Sequence, residues 1–226
     1  GDGYDDLVIS AMAGDGPPDQ DQRDNAGEVA IYYSPGRIGG QVDLRENPPG
    51  VVTIYGEESH SIFGIKSEVA DIDGNGTNDL IVGAFYADGP GREDAGKLYF
   101  FTSELLAEIR ATTGVLDLAE PWPPGVGVVI GPDASTRLGV WMAAGDVNGD
   151  GVADVVVGAD QAGNVTSSDS EAGQTWILYG PQRFGEVIDL ADPPAEASVI
   201  YGADFLDHTG STVACADVDG DGYADA

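Results

Sequence analysis

Asp71-Ile72-Asp73-Gly74-Asn75-Gly76-Thr77-Asn78-Asp79-Leu80-Ile81-Val82-Gly83-Ala84 combines an acidic loop with a β-branched apolar run. The loop has oxygen-bearing side chains at its positions 1, 3, 5 and 9. A glycine at position 6 allows the sharp turn that points these side chains toward one centre. Hard divalent cations such as calcium bind to oxygen donors of this kind. The stretch therefore predicts a cation-binding turn that leads directly into a buried strand.

The same pattern recurs along the chain. It is found at residues 146–159 and 217–225, and the chain opens within a further copy at 1–11. Asp, Asn and Gly are also the commonest turn residues, so one such loop alone would fit an ordinary turn equally well. Repetition in register, next to an apolar run, favours the metal-binding interpretation. The period is 73, 75 and 71 residues, measured between Asp6, Asp79, Asp154 and Asp225.

The predicted calcium (Ca2+) ligands are the oxygen atoms at positions 1, 3, 5, 7 and 9 of each loop, with position 7 contributing its backbone carbonyl. In the two central loops they are Asp71, Asp73, Asn75, Thr77 and Asp79, and Asp146, Asn148, Asp150, Val152 and Asp154. The copies at the two ends of the chain add Asp217, Asp219, Asp221, Tyr223 and Asp225, and Asp2, Tyr4 and Asp6. Strand residues flank these ligands and bring no acid, base or nucleophile, so the metal is predicted to be structural.

Position 12 of the loop excludes an EF-hand. An EF-hand requires a bidentate Glu at that position and a helix on each side of the loop. Here Val82 and Val157 occupy it, and each lies in an apolar β-branched run that is typical of a strand. The loops are therefore predicted to connect strands.

The composition limits the class of protein. The chain has 226 residues, of which 9 are basic and 40 acidic, and its formal net charge is −31. Such a charge excludes nucleic acid as a partner and disfavours anionic membranes. No segment approaches the roughly 18 consecutive apolar residues that predict a membrane span. The single cysteine, Cys215, excludes a disulfide within the chain and is expected to be a small buried core residue.

Four strand-like runs follow one another in each unit. The first precedes the acidic loop, the second follows it, the third comes after another acidic loop, and the fourth follows a Pro- and Gly-rich link. The second and third runs are almost continuously apolar, so both faces of the sheet must be covered. Stacked four-stranded antiparallel sheets satisfy this condition, as in a β-propeller. The first runs are predicted at 68–70, 140–144 and 211–216, and a short helix is predicted at 103–110, inside one link.

The strand count predicts an all-β partial propeller. The chain contains an incomplete blade at 1–58, whole blades at 62–131 and 137–202, and the first strand and start of the calcium loop of a further blade at 210–226. A closed ring usually needs at least four blades. We therefore interpret 1–226 as an internal piece of a larger propeller with repeats of about 73 residues.

Within one unit the motifs follow the order Phe63-Gly64, Val69-Ala70-Asp71, the calcium loop, Asp79-Leu80-Ile81-Val82-Gly83-Ala84 and Gly96-Lys97-Leu98-Tyr99-Phe100. This order resembles an FG-GAP repeat, the blade of the integrin α-chain N-terminal β-propeller and of many secreted bacterial proteins. The resemblance covers essentially the whole chain. The Phe-Gly pair becomes Leu138-Gly139 and Thr209-Gly210 in later copies, and no copy keeps the proline of the GAP motif.

The resemblance implies where metals and partners bind. Strand one would be innermost, the metal loops would line one rim, and a protein or glycan ligand would bind the opposite rim. The role would be adhesion or recognition at an extracellular or cell-surface location, without catalysis in this stretch. The alternative for the acidic loops of the ligand rim is that they are merely solvated tips. That rim would comprise the strand two-to-three loops 12–26, 85–95 and 160–172 and the connections 56–63, 131–138 and 202–209.

Two other functions stay open. One is the propeller domain of a secreted carbohydrate-active or phospholipase-type enzyme. His60 and His208 lie at non-equivalent places and no Gly-x-Ser-x-Gly elbow occurs, which argues against catalysis here, although the many carboxylates leave a paired-carboxylate site open. The other is a lectin, in which aromatic rings stack on sugar. Core or rim packing explains its candidates equally well, and these are Phe85, Tyr86 and Phe205.

Overall fold

The computed structural model describes residues 4–17, 23–34, 36, 41–46, 48–119, 121–164, 171–182 and 184–226. This part forms thirteen strands, a 3-10 helix at Leu44–Glu46 and the α-helix α1 at Ser103–Ala111. The strands are β1 (Leu7–Ala11), β2 (Glu28–Tyr32), β3 (Val51–Tyr55), β4 (Ser67–Ala70), β5 (Asp79–Ala84), β6 (Lys97–Phe101), β7 (Val115–Asp117), β8 (Val126–Ile130), β9 (Met142–Gly145), β10 (Asp154–Ala159), β11 (Gln174–Leu178), β12 (Val187–Asp189) and β13 (Ala197–Tyr201).

The strands form three sheets, which are three successive propeller blades. The sheet orders are β1-β2-β3-β7, β4-β5-β6-β8-β12 and β9-β10-β11-β13. Within a blade, consecutive strands of the same unit pair in antiparallel fashion, as β4, β5, β6 and β8 do in the second blade. The all-β class and the blade architecture are thus confirmed. The described residues do not close a ring, in agreement with a partial propeller.

Both faces of the second blade are buried, as the continuous apolar runs predict. Every residue of β5 and β6 is buried. Side chains alternate between the two faces of a strand. Val82 and Tyr99 therefore pack in the core shared with the first blade, and Ile81 and Phe100 in the core shared with the third. In contrast, four of the five residues of β1 are exposed.

Glycines determine how closely neighbouring blades approach. The loop before strand three ends in a glycine with positive φ in three units, and for Gly96 the angle is 80°. A Cβ atom on Gly96 would lie 2.3 Å from the backbone nitrogen and oxygen of Leu138, which opens the third blade. The same close approach lets the Leu138 N–H donate to the carbonyl of Ala95 at 3.0 Å. Only glycine fits this backbone-to-backbone contact.

The outer edges of the blades differ from the four-stranded sheets predicted. The link between strands three and four of a unit contains a short strand that pairs in parallel with strand four of the preceding blade. In this way β7 pairs with β3, and β12 pairs with β8. Runs of three residues carry too little periodicity to be recognised as strands in the sequence. We call β7 and β12 the lent strands, because each completes the blade before its own.

An ion pair holds each lent strand in place. Arg23, from the strand two-to-three loop of the first blade, contacts Asp117 at the end of β7, with Nη2 2.6 Å from Oδ1. Arg92 makes the equivalent contact with Asp189 at the end of β12, also at 2.6 Å. Burial alone would raise the pKa of Asp189, but the hydrogen bonds from Arg92 and Ala191 hold it below its usual value. Part of each of these two strand two-to-three loops therefore has a structural role.

The last unit forms less regular structure than the sequence predicts. A strand was expected at 211–216, but the only pairing there is an isolated bridge between Ala216 and Asp225. In the second and third units, strand one pairs with the apolar run that follows the acidic loop, and the described residues place no such run beside 211–216. Cys215 is therefore half-buried rather than in a core, and this partial burial raises the pKa of its thiol.

The helix predicted at 103–110 is confirmed as α1. Thr102 caps it, because the Thr102 hydroxyl oxygen accepts a hydrogen bond from the Leu105 N–H at 3.1 Å. Its apolar face, Leu105, Leu106 and Ile109, packs in the core between the first and second blades. No helix in the described part of the chain has the length and apolar character needed to cross a bilayer.

Candidate metal centres

The first complete acidic loop is the turn of the β4–β5 hairpin. Carboxylate oxygens of Asp71, Asp73 and Asp79 lie within 4.8 Å of one another. Asp71 Oδ1 accepts the N–H of Gly74, and Asp71 Oδ2 accepts the N–H of Gly76, each at 2.8 Å. These glycines have φ of 79° and 86°, in the left-handed region that folds the loop back over Asp71. The structure thus brings positions 1, 3 and 9 together.

The other two loops repeat this hydrogen bonding. The oxygens of Asp146 accept the glycine N–H groups at positions 4 and 6 of its loop at 2.7 and 2.9 Å. Those of Asp217 do the same at 2.6 and 3.0 Å. In the last loop, Asp217, Asp219 and Asp221 place carboxylate oxygens within 4.8 Å. Among the described residues, loop 146–154 brings no three carboxylates this close, since its position 3 is the amide of Asn148.

The remaining predicted ligands are less closely defined. The carbonyl groups of Thr77, Val152 and Tyr223 stay predicted ligands at position 7. Asp2 lies outside the described residues, and Tyr4 of the same copy is 60% exposed. The copy at the start of the chain is therefore represented by Asp6.

In every loop except 217–225, the last aspartate has a partner that the sequence did not predict. Its Oδ1 oxygen accepts, at 2.8 Å, the backbone N–H of the residue two positions after strand three of the same blade. The pairs are Asp6 with Ser34, Asp79 with Ser103 and Asp154 with Gly180. A small residue, Ser or Gly, at the same place in each unit is the signal that would have pointed to this contact. The bond ties each loop to its blade.

The burial of Asp79 and Asp154 is compatible with a bound cation. Asp79 is 1% exposed and Asp154 is 0% exposed. Burial, partly offset by the hydrogen bond from Ser103 and reinforced by the charge of Asp73, raises the pKa of Asp79 to about 6. Burial likewise raises the pKa of Asp154. A buried carboxylate beside others is costly unless a cation accompanies it, and a donor set of oxygen atoms suits a hard divalent ion.

The loops of neighbouring blades contact one another. The Ala153 N–H donates to the carbonyl of Asp71 at 3.1 Å, and the Ala224 N–H donates to that of Asp146 at 2.9 Å. Both bonds join position 8 of one loop to position 1 of the loop before it. The three loops therefore form a continuous row along one end of the blades.

The strand two-to-three loops and the inter-blade connections lie together at the other end of the blades. In each connection a backbone N–H donates to the loop of the preceding blade, at 2.9, 3.0 and 2.9 Å. Residues 18–22 and 165–170 of these loops lie outside the described part. The donor and acceptor residues are Phe63 and Ala26, Leu138 and Ala95, and Thr209 and Ala172.

A pocket of about 310 Å³ opens at this end, between the second and third blades. Its walls include Asp133, Asn164, Gln174, Trp176 and Tyr201. Tyr201 is 40% exposed, whereas Trp176 is only 3% exposed and donates its indole N–H to Gln174 at 2.9 Å. The pocket thus combines an exposed aromatic ring with an acidic and two amide side chains.

The equivalent place one blade earlier is filled by an ion pair. Lys97 Nζ lies 2.7 Å from Glu57 Oε2 and 3.3 Å from Glu58 Oε1, and the Tyr99 hydroxyl donates to Glu57 at 2.6 Å. In the third blade the position of Lys97 holds Gln174, while Asp133 keeps the acidic character of Glu58. The pocket therefore has a carboxylate without the lysine that neutralises its counterpart.

The other candidate residues at this end differ in accessibility. Phe205 is 68% exposed. Tyr86 instead packs on Phe85, with ring centroids 4.1 Å apart, and the guanidinium of Arg137 lies 4.8 Å from its ring centre. Of the sugar-stacking candidates, Phe205 thus has the freest ring. His208 Nδ1 lies 3.0 Å from the carbonyl oxygen of Asp160, a local contact that gives it no nucleophile to activate.

Comparison with known proteins identifies the repeat. The family model for the FG-GAP repeat matches residues 63–101 and 138–178. Phosphatidylinositol-glycan-specific phospholipase D of Dictyostelium discoideum is 27% identical over 176 residues, covering 76% of this chain and 18% of that protein. Integrin alpha pat-2 of Caenorhabditis elegans is 27% identical over 231 residues, covering 100% and 16%. Integrin alpha-PS2 of Drosophila melanogaster is 30% identical over 166 residues, covering 70% and 11%. The chain thus spans less than a fifth of each of these relatives.

Proposed function

Because the chain is an FG-GAP repeat protein, we propose that it is a calcium-binding extracellular β-propeller module for adhesion or ligand recognition, without catalysis in this stretch. The observation that carries this proposal is the row of acidic loops at one end of the blades. Their hydrogen bonding repeats from loop to loop, and a buried aspartate ends each of the two central loops. Integrin α chains among the relatives support the recognition role and the extracellular location.

The proposed calcium ions have a structural role. Removing the cation would leave Asp71, Asp73 and Asp79 facing one another beside a blade core, and the cost would appear as lost stability. The chain carries a net charge of −31, so bound cations also reduce its overall self-repulsion. Backbone bonds between neighbouring loops keep the three loops in one row, so ions in them would line one end of the blades.

Calcium is expected to bind and to stabilise the fold. A ligand present at a hundred times its dissociation constant adds about 2.7 kcal/mol to the free energy of unfolding. Calorimetric titration of chelator-treated protein should therefore release or absorb heat, and calcium should raise the melting temperature. Asp150→Ala, an exposed change at position 5 of loop 146–154, should weaken that loop while loop 71–79 still binds. A melting temperature unchanged by calcium or chelator, with no heat of binding, would contradict the proposal.

The partner is proposed to bind at the end of the blades opposite the acidic loops. Two observations support this location. The loops there differ in length and sequence between units while the scaffold repeats, which is typical of recognition surfaces. The pocket beside Asp133 and Tyr201 also has an acidic group whose counterpart one blade earlier binds a lysine. A protein ligand with basic side chains suits this chemistry better than a neutral glycan.

Reversing the charge at Asp133 is expected to weaken partner binding. Binding partners would first be selected on arrays of immobilised extracellular-matrix proteins and of glycans. For a protein so selected, Asp133→Lys should reduce affinity roughly tenfold or more, with most of the loss at low salt. Calcium binding and melting temperature should stay unchanged. The matched control is Glu46→Lys, which reverses an exposed charge outside this end of the blades. Equal losses in both variants, or selection of glycans alone, would contradict the proposed partner.

A second candidate function is favoured by the similarity to phosphatidylinositol-glycan-specific phospholipase D. In that case the chain would be the propeller domain of a larger secreted enzyme. Both histidines, His60 and His208, lie in connections at the end of the blades opposite the acidic loops, so the catalytic groups of such an enzyme would come from other parts of the protein. Assaying the complete protein for release of phosphatidylinositol-anchored substrates would distinguish this function from adhesion.

A further inference from the structure

We infer that Glu104 is a positioning residue for the calcium site proposed in loop 71–79, and that it makes this site bind more tightly than loop 146–154. The inference rests on the proposed calcium function. Glu104 lies in the first turn of α1, which is the one α-helix in the described part of the chain. The helix therefore provides one metal loop with a carboxylate that the repeat pattern does not supply.

Helix α1 begins directly beside this loop. Asn75 Nδ2 donates to Glu104 Oε1 at 3.1 Å, and Thr77 Oγ1 lies 2.7 Å from the hydroxyl oxygen of Ser103. The Ser103 N–H donates to Asp79 Oδ1 at 2.8 Å. Position 5 of the loop thus contacts Glu104, and positions 7 and 9 contact Ser103.

The contact with Glu104 fixes the side-chain amide of Asn75. An amide has a donor end and an acceptor end, so holding Nδ2 turns Oδ1 toward the loop, where it accepts the N–H of Thr77 at 2.7 Å. Asn75 Nδ2 also donates to Asp73 Oδ2 at 3.0 Å, which orients two predicted ligands together. Groups that hydrogen-bond a metal ligand in this way orient it and strengthen metal binding. The negative charge of Glu104 also favours a cation at the loop.

Loop 146–154 lacks this support. Its amide, on Asn148, donates at 3.0 Å to Asp150 Oδ2, so the bond stays within the loop. The residue in the place of Ser103 is Gly180, and Pro181 rather than a glutamate follows it. The two loops share the hydrogen bonds that fold them over their first aspartate, and they differ in the position of the amide and in this outside carboxylate.

The blades anchor the helix that carries Glu104, whose own side chain is exposed. Leu105, Leu106 and Ile109 anchor α1 in the core between the first and second blades. The guanidinium of Arg110 lies 4.1 Å from the ring centre of Tyr33, which belongs to the first blade. Because packing already fixes the backbone of Glu104, only its side chain loses conformational entropy when the metal binds.

Calcium titration by calorimetry tests the inference. Glu104→Ala is expected to weaken the tightest site roughly 10- to 100-fold, the range seen when a group that supports a metal ligand is lost. Glu104→Gln keeps an acceptor oxygen but loses the charge, so its loss should be smaller. If Asp73→Ala also removes the tightest site from the titration, that site lies in loop 71–79. The weaker sites should keep their affinity in both Glu104 variants.

Glu108→Gln is the matched control. Glu108 is exposed on the same helix one turn later, and its replacement by Gln removes the same charge as Glu104→Gln does. Circular dichroism would verify that each variant keeps its helix and melting temperature. Equal weakening in Glu108→Gln, or unchanged binding in Glu104→Ala, would overturn the role of Glu104 while calcium binding stands. If the protein without substitutions gave no heat of calcium binding, the proposed function and this inference would be overturned together.

Discussion

Gly96→Ala is expected to lower the free energy of unfolding by roughly 3–5 kcal/mol, from left-handed backbone strain and overpacking combined. At a φ of 80° the added methyl group would strain the backbone of residue 96 itself. It would also meet the backbone nitrogen and oxygen of Leu138 at 2.3 Å. Neither atom can rotate away as a side chain would, so the blades must separate to admit the methyl group.

Gly91→Ala separates the two causes. Gly91 has a φ of 70°, but a Cβ atom there would find nothing within 4 Å. Its replacement should cost only the backbone term, about 1–2 kcal/mol. Urea denaturation followed by tryptophan fluorescence would measure both variants. Similar losses in the two would mean that the contact between the blades can relax, and that it does not limit how closely they pack.

Phe63→Ala is expected to cost roughly 3–5 kcal/mol, as for other large-to-small changes in a core. Phe63 is 0% exposed. Its ring makes edge contacts with Tyr99 at 5.5 Å and with Phe101 at 6.3 Å between centroids. These rings belong to the core between the first and second blades, so the cavity would open where the two sheets meet.

A smaller substitution at the same position and a substitution of an exposed ring serve as comparisons for Phe63→Ala. Leu138 occupies the equivalent place in the next unit and is also 0% exposed, so Phe63→Leu should fit with a loss of about 1–2 kcal/mol. Phe205→Ala removes a ring that is 68% exposed and should change stability by less than about 0.5 kcal/mol. Thermal and urea unfolding would rank the three variants. A small loss in Phe63→Ala would indicate that the core collapses around the cavity.

Much of the blade could be predicted from the sequence because its signals are local. An unbroken apolar run such as Leu80 to Ala84 must be covered on both faces, and the structure buries each of its residues. The acidic loops were recognised because ligand types recur at fixed spacing within nine residues. Helix α1 likewise has its apolar face and its N-cap within one short segment.

The lent strands could not be predicted in the same way. Val115–Asp117 becomes a strand only because β3 of another unit offers it a parallel edge. The strand expected at 211–216 shows the converse, since an apolar run without a partner forms no strand. In both segments, pairing with a distant part of the chain determines whether a strand forms, and a local sequence pattern does not contain that information.

The same limit applies to the metal loops. Positions 1, 3 and 9 could be read from spacing, whereas the partners from outside the loop could not. Glu104 lies 29 residues from Asn75 along the chain, and Ser103 lies 24 from Asp79. Arg23 lies in the strand two-to-three loop 12–26, which was predicted to form part of the ligand rim, although it holds β7 through an ion pair with Asp117. Such contacts follow from the fold.

The lent strands set an order of events while the chain is being synthesised. β3 ends at Tyr55, and the strand that covers its edge begins at Val115, sixty residues later. At about 5–20 residues per second, a ribosome needs about 3–12 seconds to supply that strand. During this delay the emerging blade presents an open edge to any other nascent chain nearby. Each repeat therefore leaves the ribosome incomplete, and only the translation of the next repeat protects it from aggregation.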